Sequence, residues 1–503
     1  MEKFYQLHNG TAAELKEIPV LSETEFRSSV INAVAAGCRI GSLFAMPDQE
    51  QFRITAILFN PMDHILEITS MMCSGSYRSL TPELPAAHLF EREIAEQYGI
   101  LPEGHPNLQP VRFHGSYSEK PAPWTGEAFP EIGTADFMKM EGKEVHEVAV
   151  GPIHAGVIEP GHFRFQCMGE DVYSLEISLG YQHRGIEKMM EGTVTKQMIR
   201  LAETAAGDSS IAEATAYAVI SEALSGITPS PKARQIRAVA LELERIANHV
   251  GDLGALAGDV AYLPTASFCG RIRGEYLNMT AELCGNRFGR GLVIPGGVKY
   301  DLEPKRAEKI LDWINRIYPE LKNALDLMFE APTVLDRFEN TGAVRKDTAL
   351  QLGLVGVAGR ASGLRTDARH DLPLNTDPVP KRISPRHLTG EVMARASVRY
   401  REIAASHEFI IRTLLELAQG ELQQKTRGEY PANMIAVAVV ESWRGELCHV
   451  AVTGENHSFR RYKITDPSFH NWTGLAMALR KEQISNFPIC NKSFNLSYCG
   501  HDL

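Results

Sequence analysis

Side chains able to handle protons, anions or metals gather in a few short stretches of this 503-residue chain. In GPIHAGVIEPGHFRFQCMGED (151–171), glycine and proline break a strand pattern twice, and His154, Glu159 and His162 stand near the breaks. Imidazoles and a carboxylate on such turns suit acid–base or binding work at a cleft, and they equally suit a solvated hairpin. In YQHRGIEK (181–188), His183, Arg184, Glu187 and Lys188 surround Gly185. Their spacing allows helical ion pairs, either at a subunit or cofactor boundary or at a solvated helix start. RASGLRTDARHDLP (360–373) sets Arg360, Arg365 and Arg369 among Asp367, His370 and Asp371. Guanidinium forks bind carboxylates or other anions, so this is a binding loop, a partner contact or a charged surface loop. VVESWRGELCHVAV (439–452) reads as two strands joined by a tight turn at Arg444-Gly445-Glu446, and the hairpin alone accounts for it.

Soft metal chemistry is poorly provided for. The eight cysteines, at 38, 73, 167, 269, 284, 448, 490 and 499, form no C-x-x-C. That spacing argues against a disulfide framework, a structural zinc site or an iron–sulfur cluster held by this chain, and for buried thiols in a reducing compartment. The last stretch, NFPICNKSFNLSYCGHDL (486–503), is apolar and aromatic, so it is expected to be tucked in; its Cys499 and His501 do not complete a metal site.

The elements that must position these residues fall into two halves. Residues 1–116 are expected to form a small α/β domain, with a helix over 23–37, strands at 38–47, 51–60 and 64–73, and a helix at 84–100. Residues 117–145, rich in proline, glycine and charge, read as a linker or a draped connection. Strand pattern resumes near 144, and from about 200 the chain is mainly helical. The clearest helix is 230–254, with Ser230 as cap, Pro231 in the first turn, a stripe of Val239, Leu243, Ile246 and Val250, and Gly254 as stop. Helices follow at 303–317 and 390–420, with strands near 434–464. The fold class expected is therefore α+β, with peripheral sheets around a mainly helical domain at 146–503.

The net charge of −10 argues against nucleic acid or an anionic membrane surface as a direct partner. No run approaches a membrane span, so any membrane association has to come through partner subunits. No G-x-G-x-x-G follows a strand, which leaves a dinucleotide site to another subunit.

Taken in order, GPIHxxxxEPGHFRF, YxHRGxEK, RASGxxxDxRxDxP and ESxRGE resemble the large subunit of membrane-bound, energy-converting nickel–iron hydrogenases of the formate hydrogenlyase type. The quinone-site subunit of respiratory complex I shares this frame, and FEREIAEQYGILPEGHPNLQPVRF (90–113) resembles the smaller complex I subunit often fused ahead of it. In the hydrogenases the helix after HRGxEK opens with C-G-x-C, which falls here on Ala206-Gly207-Asp208-Ser209; the second C-x-x-C falls on Ser497 and Gly500. Every nickel ligand is missing, and alanine, serine and glycine cannot replace thiolates. The complex I quinone tyrosine falls on Gly207, while His154 or His162 approximates the quinone histidine.

The resemblance implies a hydrogenase-related complex with a vacated metal site. Asp208, Ser209, Glu213 and Ser497 would remain in the cavity, with Cys499 one register step away. Asp208 and Glu213 would supply protons, His154, His162, His183 and Arg184 would shape the cavity, and Glu159, Glu187, Arg360, Arg365, Asp367 and Arg369 would line it or meet partners. The implied acceptor is a quinone, with no metal and no other cofactor held by this chain. The implied partners are a small iron–sulfur subunit, a membrane-anchored subunit and antiporter-like membrane subunits, on the cytoplasmic side of a bacterial inner membrane. A non-catalytic scaffold is the alternative, and an active nickel hydrogenase a third.

Overall fold

A computed structural model describes residues 2–118, 122–123, 136–156, 158–374, 377–384, 388–426 and 429–503. Most of the expected linker, 117–145, lies outside the described residues. The architecture is α+β.

The N-terminal sheet runs in the order Tyr5–Leu7, Ile65–Cys73, Gln51–Asn60, Arg39–Asp48, antiparallel throughout, with Val20–Leu21 added parallel to Ile65–Cys73. Helix Glu23–Ala35 begins with a capping box between Ser22 and Glu25, which satisfies amides the first turn would leave free. This helix and His88–Tyr98 cover one face of the sheet through Phe26, Val30, Phe90 and Ile94. The other face, with Phe44, Met46, Ile57, Phe59 and Ile68, packs on Val437, Val439, Cys448 and Val450.

Those last residues belong to a second sheet, ordered Gly192–Thr193, Ser458–Thr465, Glu446–Thr453, Met434–Glu441, Thr11–Glu14. Its strand Glu446–Thr453 is buried along its whole length, because one face meets the N-terminal sheet and the other meets helix Ser210–Ser225. Burial on both faces explains its apolar run without alternation. Strand Thr11–Glu14 comes from the N-terminal half, so the two halves share a sheet. A third sheet, Asp171–Ser178, His162–Met168, Val145–Val150, carries the 151–161 loop at one end.

The helical body surrounds Pro231–Asp259, flanked by Leu263–Cys284 and Val392–Leu415. Gly254 does not stop this helix as expected: a Cβ there would meet Cys269 Cβ at 2.6 Å, so the glycine instead admits the neighbouring helix. Helix Pro304–Glu330 likewise runs well past the expected end at 317. Among the described residues, no helix is long and apolar enough to cross a membrane.

Candidate functional site

The small-residue stretch after HRGxEK is a break between two helices. Met198–Ala205 ends, residues 206–209 turn, and Ser210–Ser225 begins. Arg184 donates to the carbonyls of Thr204 (2.7 Å) and Ala205 (2.9 Å), tying the HRG turn to the end of the first helix. The C-terminal segment folds back onto the same break. Ser497 caps the short helix Tyr498–His501 through the Gly500 amide at 2.9 Å, and the Gly207 amide donates toward the Cys499 thiol. The two segments on which the hydrogenase ligand motifs fall are thus neighbours in space.

An ion pair fills the ground between them. Arg444 grips Asp208 with both terminal nitrogens at 2.7 Å, while its Nε donates to the Asn495 carbonyl at 2.7 Å. The guanidinium lies over the Trp443 ring, 3.9 Å from its centroid. The Asp208 backbone carbonyl is held in turn by Asn248 (2.9 Å) and by the Trp443 indole (3.2 Å). Arg444 is buried, whereas the Asp208 side chain remains 37% exposed, so the pair has one open side. Burial opposes charge on Asp208, but Arg444 wins and keeps its carboxyl below the ordinary value.

Behind this pair lie carboxyls of the opposite kind. Glu213 is completely buried; its Oε2 meets His449 Nε2 at 2.8 Å, and its Oε1 has no partner. Burial, reinforced by Asp466 and Glu244, lifts its pKa well above the usual carboxylate value. Glu244 accepts from the Ile211 (2.8 Å) and Ala212 (3.3 Å) amides at the start of the Ser210 helix, yet burial pushes it up to about 8. Burial also raises Asp466, which accepts from the Ser468 amide at 2.7 Å. Arg444 acts on Asp208 and Asp466, while Glu213 is opposed by Arg184 and Glu244 by Arg245, and burial favours the protonated form of both glutamates.

The expected site residues divide sharply. Asp208, Ser209, Glu213 and Ser497 come together, and exposed Glu159 reaches them through the amides of Tyr498 and Cys499. Arg184 borders them. His154 and His162 instead bond their own loop, at 2.7 Å to the Gly161 carbonyl and 3.3 Å to that of Gly151. His183 stacks on His114, with centroids 4.7 Å apart, and burial lowers it to about 4. Glu187 lies in a separate buried network with Arg461 (2.9 Å) and Lys463 (2.8 Å).

In the RASG stretch the arginines bind carboxylates, one of the readings the sequence leaves open, and they do so inside the fold rather than on a surface or partner-facing loop. Arg360 is buried between Glu402 and Glu441, both at 2.7 Å, and Arg369 joins Asp367 (2.9 Å) to Glu242 (3.2 Å). Only Arg365 of the named four is exposed. The reason is that the adjoining helices carry Glu242 and Glu402 inward, and these acids need cations. Sequence reasoning misses Arg444, Glu244, His449 and Asp466. Arg444 carries a signal, since a tight turn between strands has no need of an arginine; Glu244 is one of several charges on a long helix, His449 lies in a mostly apolar strand, and Asp466 reads as an ordinary helix cap.

At the four ligand positions the side chains are Ala206, Ser209, Ser497 and Gly500, and a Cβ at Gly500 would meet Asp466 Oδ2 at 2.6 Å. This donor set does not fit a nickel–iron group. Among the described residues, no three His, Cys, Asp or Glu side chains gather as a metal site. A cavity of about 220 Å³ beside Glu242, Arg369 and Phe409, and one of about 290 Å³ beside Arg92, Glu176 and Trp472, are lined by other residues.

Comparison with known proteins bears on both halves of the chain. Residues 21–125 match the family model described as respiratory-chain NADH dehydrogenase, 30 Kd subunit, and residues 259–436 match that of the 49 Kd subunit. Formate hydrogenlyase subunit 5 of Escherichia coli (strain K12) is 29% identical over 442 residues, covering 84% of this chain and 76% of the relative. Hydrogenase-4 component G of the same organism is 27% identical over 446 residues, 84% of this chain and 75% of the relative. NADH-quinone oxidoreductase subunit 4 of Thermus thermophilus is 28% identical over 368 residues, 68% of this chain and 90% of the relative. Both complex I family models match within this one chain. The double resemblance read from the motifs, to hydrogenase large subunits and to fused complex I subunits, therefore holds.

Proposed function

We propose that this chain is a peripheral-arm subunit of a membrane-bound, complex I-like oxidoreductase, in which the pocket around Asp208 and Arg444 handles an electron acceptor of quinone type. The observation that carries this reading is the Arg444 fork, fixed between Trp443 and Asn495 with one open side and with carboxyls behind it whose burial raises their pKa. Each electron added to a quinone-type carbonyl is matched by a proton. Arg444 would polarise the carbonyl oxygen once Asp208 releases it, and Glu213 and Glu244 would hold the protons. Similarity to relatives named as hydrogenase and NADH-quinone oxidoreductase subunits supports a redox role.

By this reading electrons come from an iron–sulfur cluster in a small partner subunit. A membrane-anchored subunit and antiporter-like subunits would fix the chain to the cytoplasmic face of a bacterial inner membrane and couple electron transfer to ion movement. A second reading, a scaffold with no substrate of its own, is favoured by one observation: Asp208 already satisfies Arg444 internally. The test is the complex purified with its partners. Expected are iron at cluster levels without nickel, and quinone reduction that falls about 100-fold or more in Asp208→Ala/Glu213→Ala. Unchanged turnover in that double variant would leave the scaffold; nickel at stoichiometric level would make it a hydrogenase.

A further inference from the structure

Helix Ser210–Ser225 reads SIAEATAYAVISEALS, and four of its polar residues fall in register. Glu213, Tyr217, Ser221 and Ser225 recur every fourth position, which places them in one stripe along the helix. All four are buried, with 0–3% exposure. Burying a polar group without a partner is costly, and a stripe of alanine and leucine would pack the same ground without that cost. Glu213 Oε1 and Ser225 Oγ, at the two ends of the stripe, have no partner among the described residues.

The sheet across from the stripe supplies relay groups. His449 bridges with both ring nitrogens, Nε2 to Glu213 Oε2 at 2.8 Å and Nδ1 to the Tyr462 hydroxyl at 2.9 Å. The Tyr462 ring lies 6.2 Å from that of Tyr217. Farther along, the Ser221 hydroxyl meets that of Tyr430 at 2.6 Å, and Tyr430 sits beside half-buried His457, whose Nδ1 accepts its amide at 3.0 Å. At the helical rise per residue, the stripe from Glu213 to Ser225 spans about 18 Å.

We infer that this file conducts protons between the Asp208–Arg444 pocket and the surface near Tyr430 and His457, with His449 and Tyr462 as relay groups; the inference rests on the proton-coupled reading above. The step is a transfer only. Glu213 passes its proton from Oε2 to His449 Nε2 while the Nδ1 proton moves to the Tyr462 oxygen, and the Tyr462 hydroxyl proton leaves by way of Tyr217 and the Ser221–Tyr430 hydroxyl pair to solvent, which is its final acceptor. Nothing is oxidised or reduced, and a proton entering at Glu213 Oε1 restores the acid. The charge states suit this: Glu213 faces Asp466, Glu244 and Asp208, with Arg184 the opposing cation, and burial lowers His449 to about 3. A structural ion pair would instead have been charged on both sides.

The test is infrared difference spectroscopy on the assembled complex, with the Glu213→Gln variant identifying the carboxylic acid band of Glu213. The band is expected, and on transfer to heavy water its deuterium exchange is expected to slow by about tenfold or more in Tyr462→Phe and in Ser221→Ala, each of which deletes a positioned hydroxyl. Exchange at the wild-type rate in both variants would overturn the file, because the proton would then reach Glu213 from the pocket alone. Absence of the band would overturn it too, since an ionised Glu213 has no proton to pass. Both readouts are independent of turnover, so a complex inert toward quinones would sink the proposed function without deciding this inference.

Discussion

Two groups of buried carboxylates flank the turn that joins strands Met434–Glu441 and Glu446–Thr453, and they are built on different terms. On one side, Glu242, Glu402, Glu441 and Asp367 interleave with Arg245, Arg360 and Arg369, with His249 at 2.7 Å from Glu402. Burial works against charge on each of these acids, yet neighbouring guanidinium groups hold Glu242, Glu402 and Asp367 below the ordinary carboxylate range; only Glu441 is lifted. On the other side lie Asp208, Glu213, Glu244 and Asp466: Arg444 pairs directly with Asp208 and also acts on Asp466, while the cation opposing Glu213 is Arg184 and that opposing Glu244 is Arg245. There burial prevails at three of the four. The ratio of cations to acids, rather than the depth of burial, separates a cross-link from a proton store.

Removing a cation should hurt the first group most. Arg360→Ala leaves Glu402 and Glu441 facing each other without their shared guanidinium, and breaking a buried pair from one side costs about 3–5 kcal/mol. Chemical denaturation is expected to show a loss of that size; a loss near that of a surface ion pair would mean water reaches the network. A matched pair of amide substitutions sharpens the contrast. Glu402→Gln discards a charge that Arg360 and His249 require and should cost on the order of 2 kcal/mol. Glu213→Gln replaces a neutral acid by a neutral amide of similar shape, so stability should change by less than about 1 kcal/mol while quinone reduction in the complex falls about 100-fold. Equal stability losses in the two variants would erase the distinction between the groups.

Much of the fold is legible in the sequence, because strands 39–48, 51–60 and 65–73 and the long helices carry clear periodicity and turn residues. Helix ends are not. Gly254 has the look of a stop, but its packing against Cys269 overrides local preference. The pocket is legible in part: motif order points to Asp208, Glu213 and Ser497, whereas Arg444 reads as a turn residue. Glu244 and His449 give no local sign, since a buried acid and an exposed one look alike in a single sequence, and what decides between them is the count of cations that the fold delivers nearby. In the RASG stretch the sequence points to carboxylate partners but not to their burial or identity. Its charges meet partners far along the chain, Glu441 for Arg360 at a separation of 81 residues and Glu242 for Arg369 at 127.

The gentlest test of the comparison is pH alone. A buried acid whose folded pKa is raised stabilises the fold in its protonated form, and that contribution is complete below the ordinary value and lost as pH rises through the folded one. For Glu244 the window runs from about 4.5 to about 8. Glu402 behaves oppositely: held well below the usual range, it contributes above its ordinary value, and that contribution is lost as pH falls toward the folded one. The two groups should therefore fail at opposite ends of the scale. Glu244→Gln keeps an acceptor for the Ile211 amide but cannot ionise, so its melting temperature should fall less steeply than the wild type's between pH 5 and 8, by an amount worth about 3–4 kcal/mol at most. Glu402→Gln should flatten the acid side instead. Parallel melting curves for wild type and Glu244→Gln across that window would mean that Glu244 is ionised in the fold, and the pocket would then hold one proton fewer than its chemistry requires.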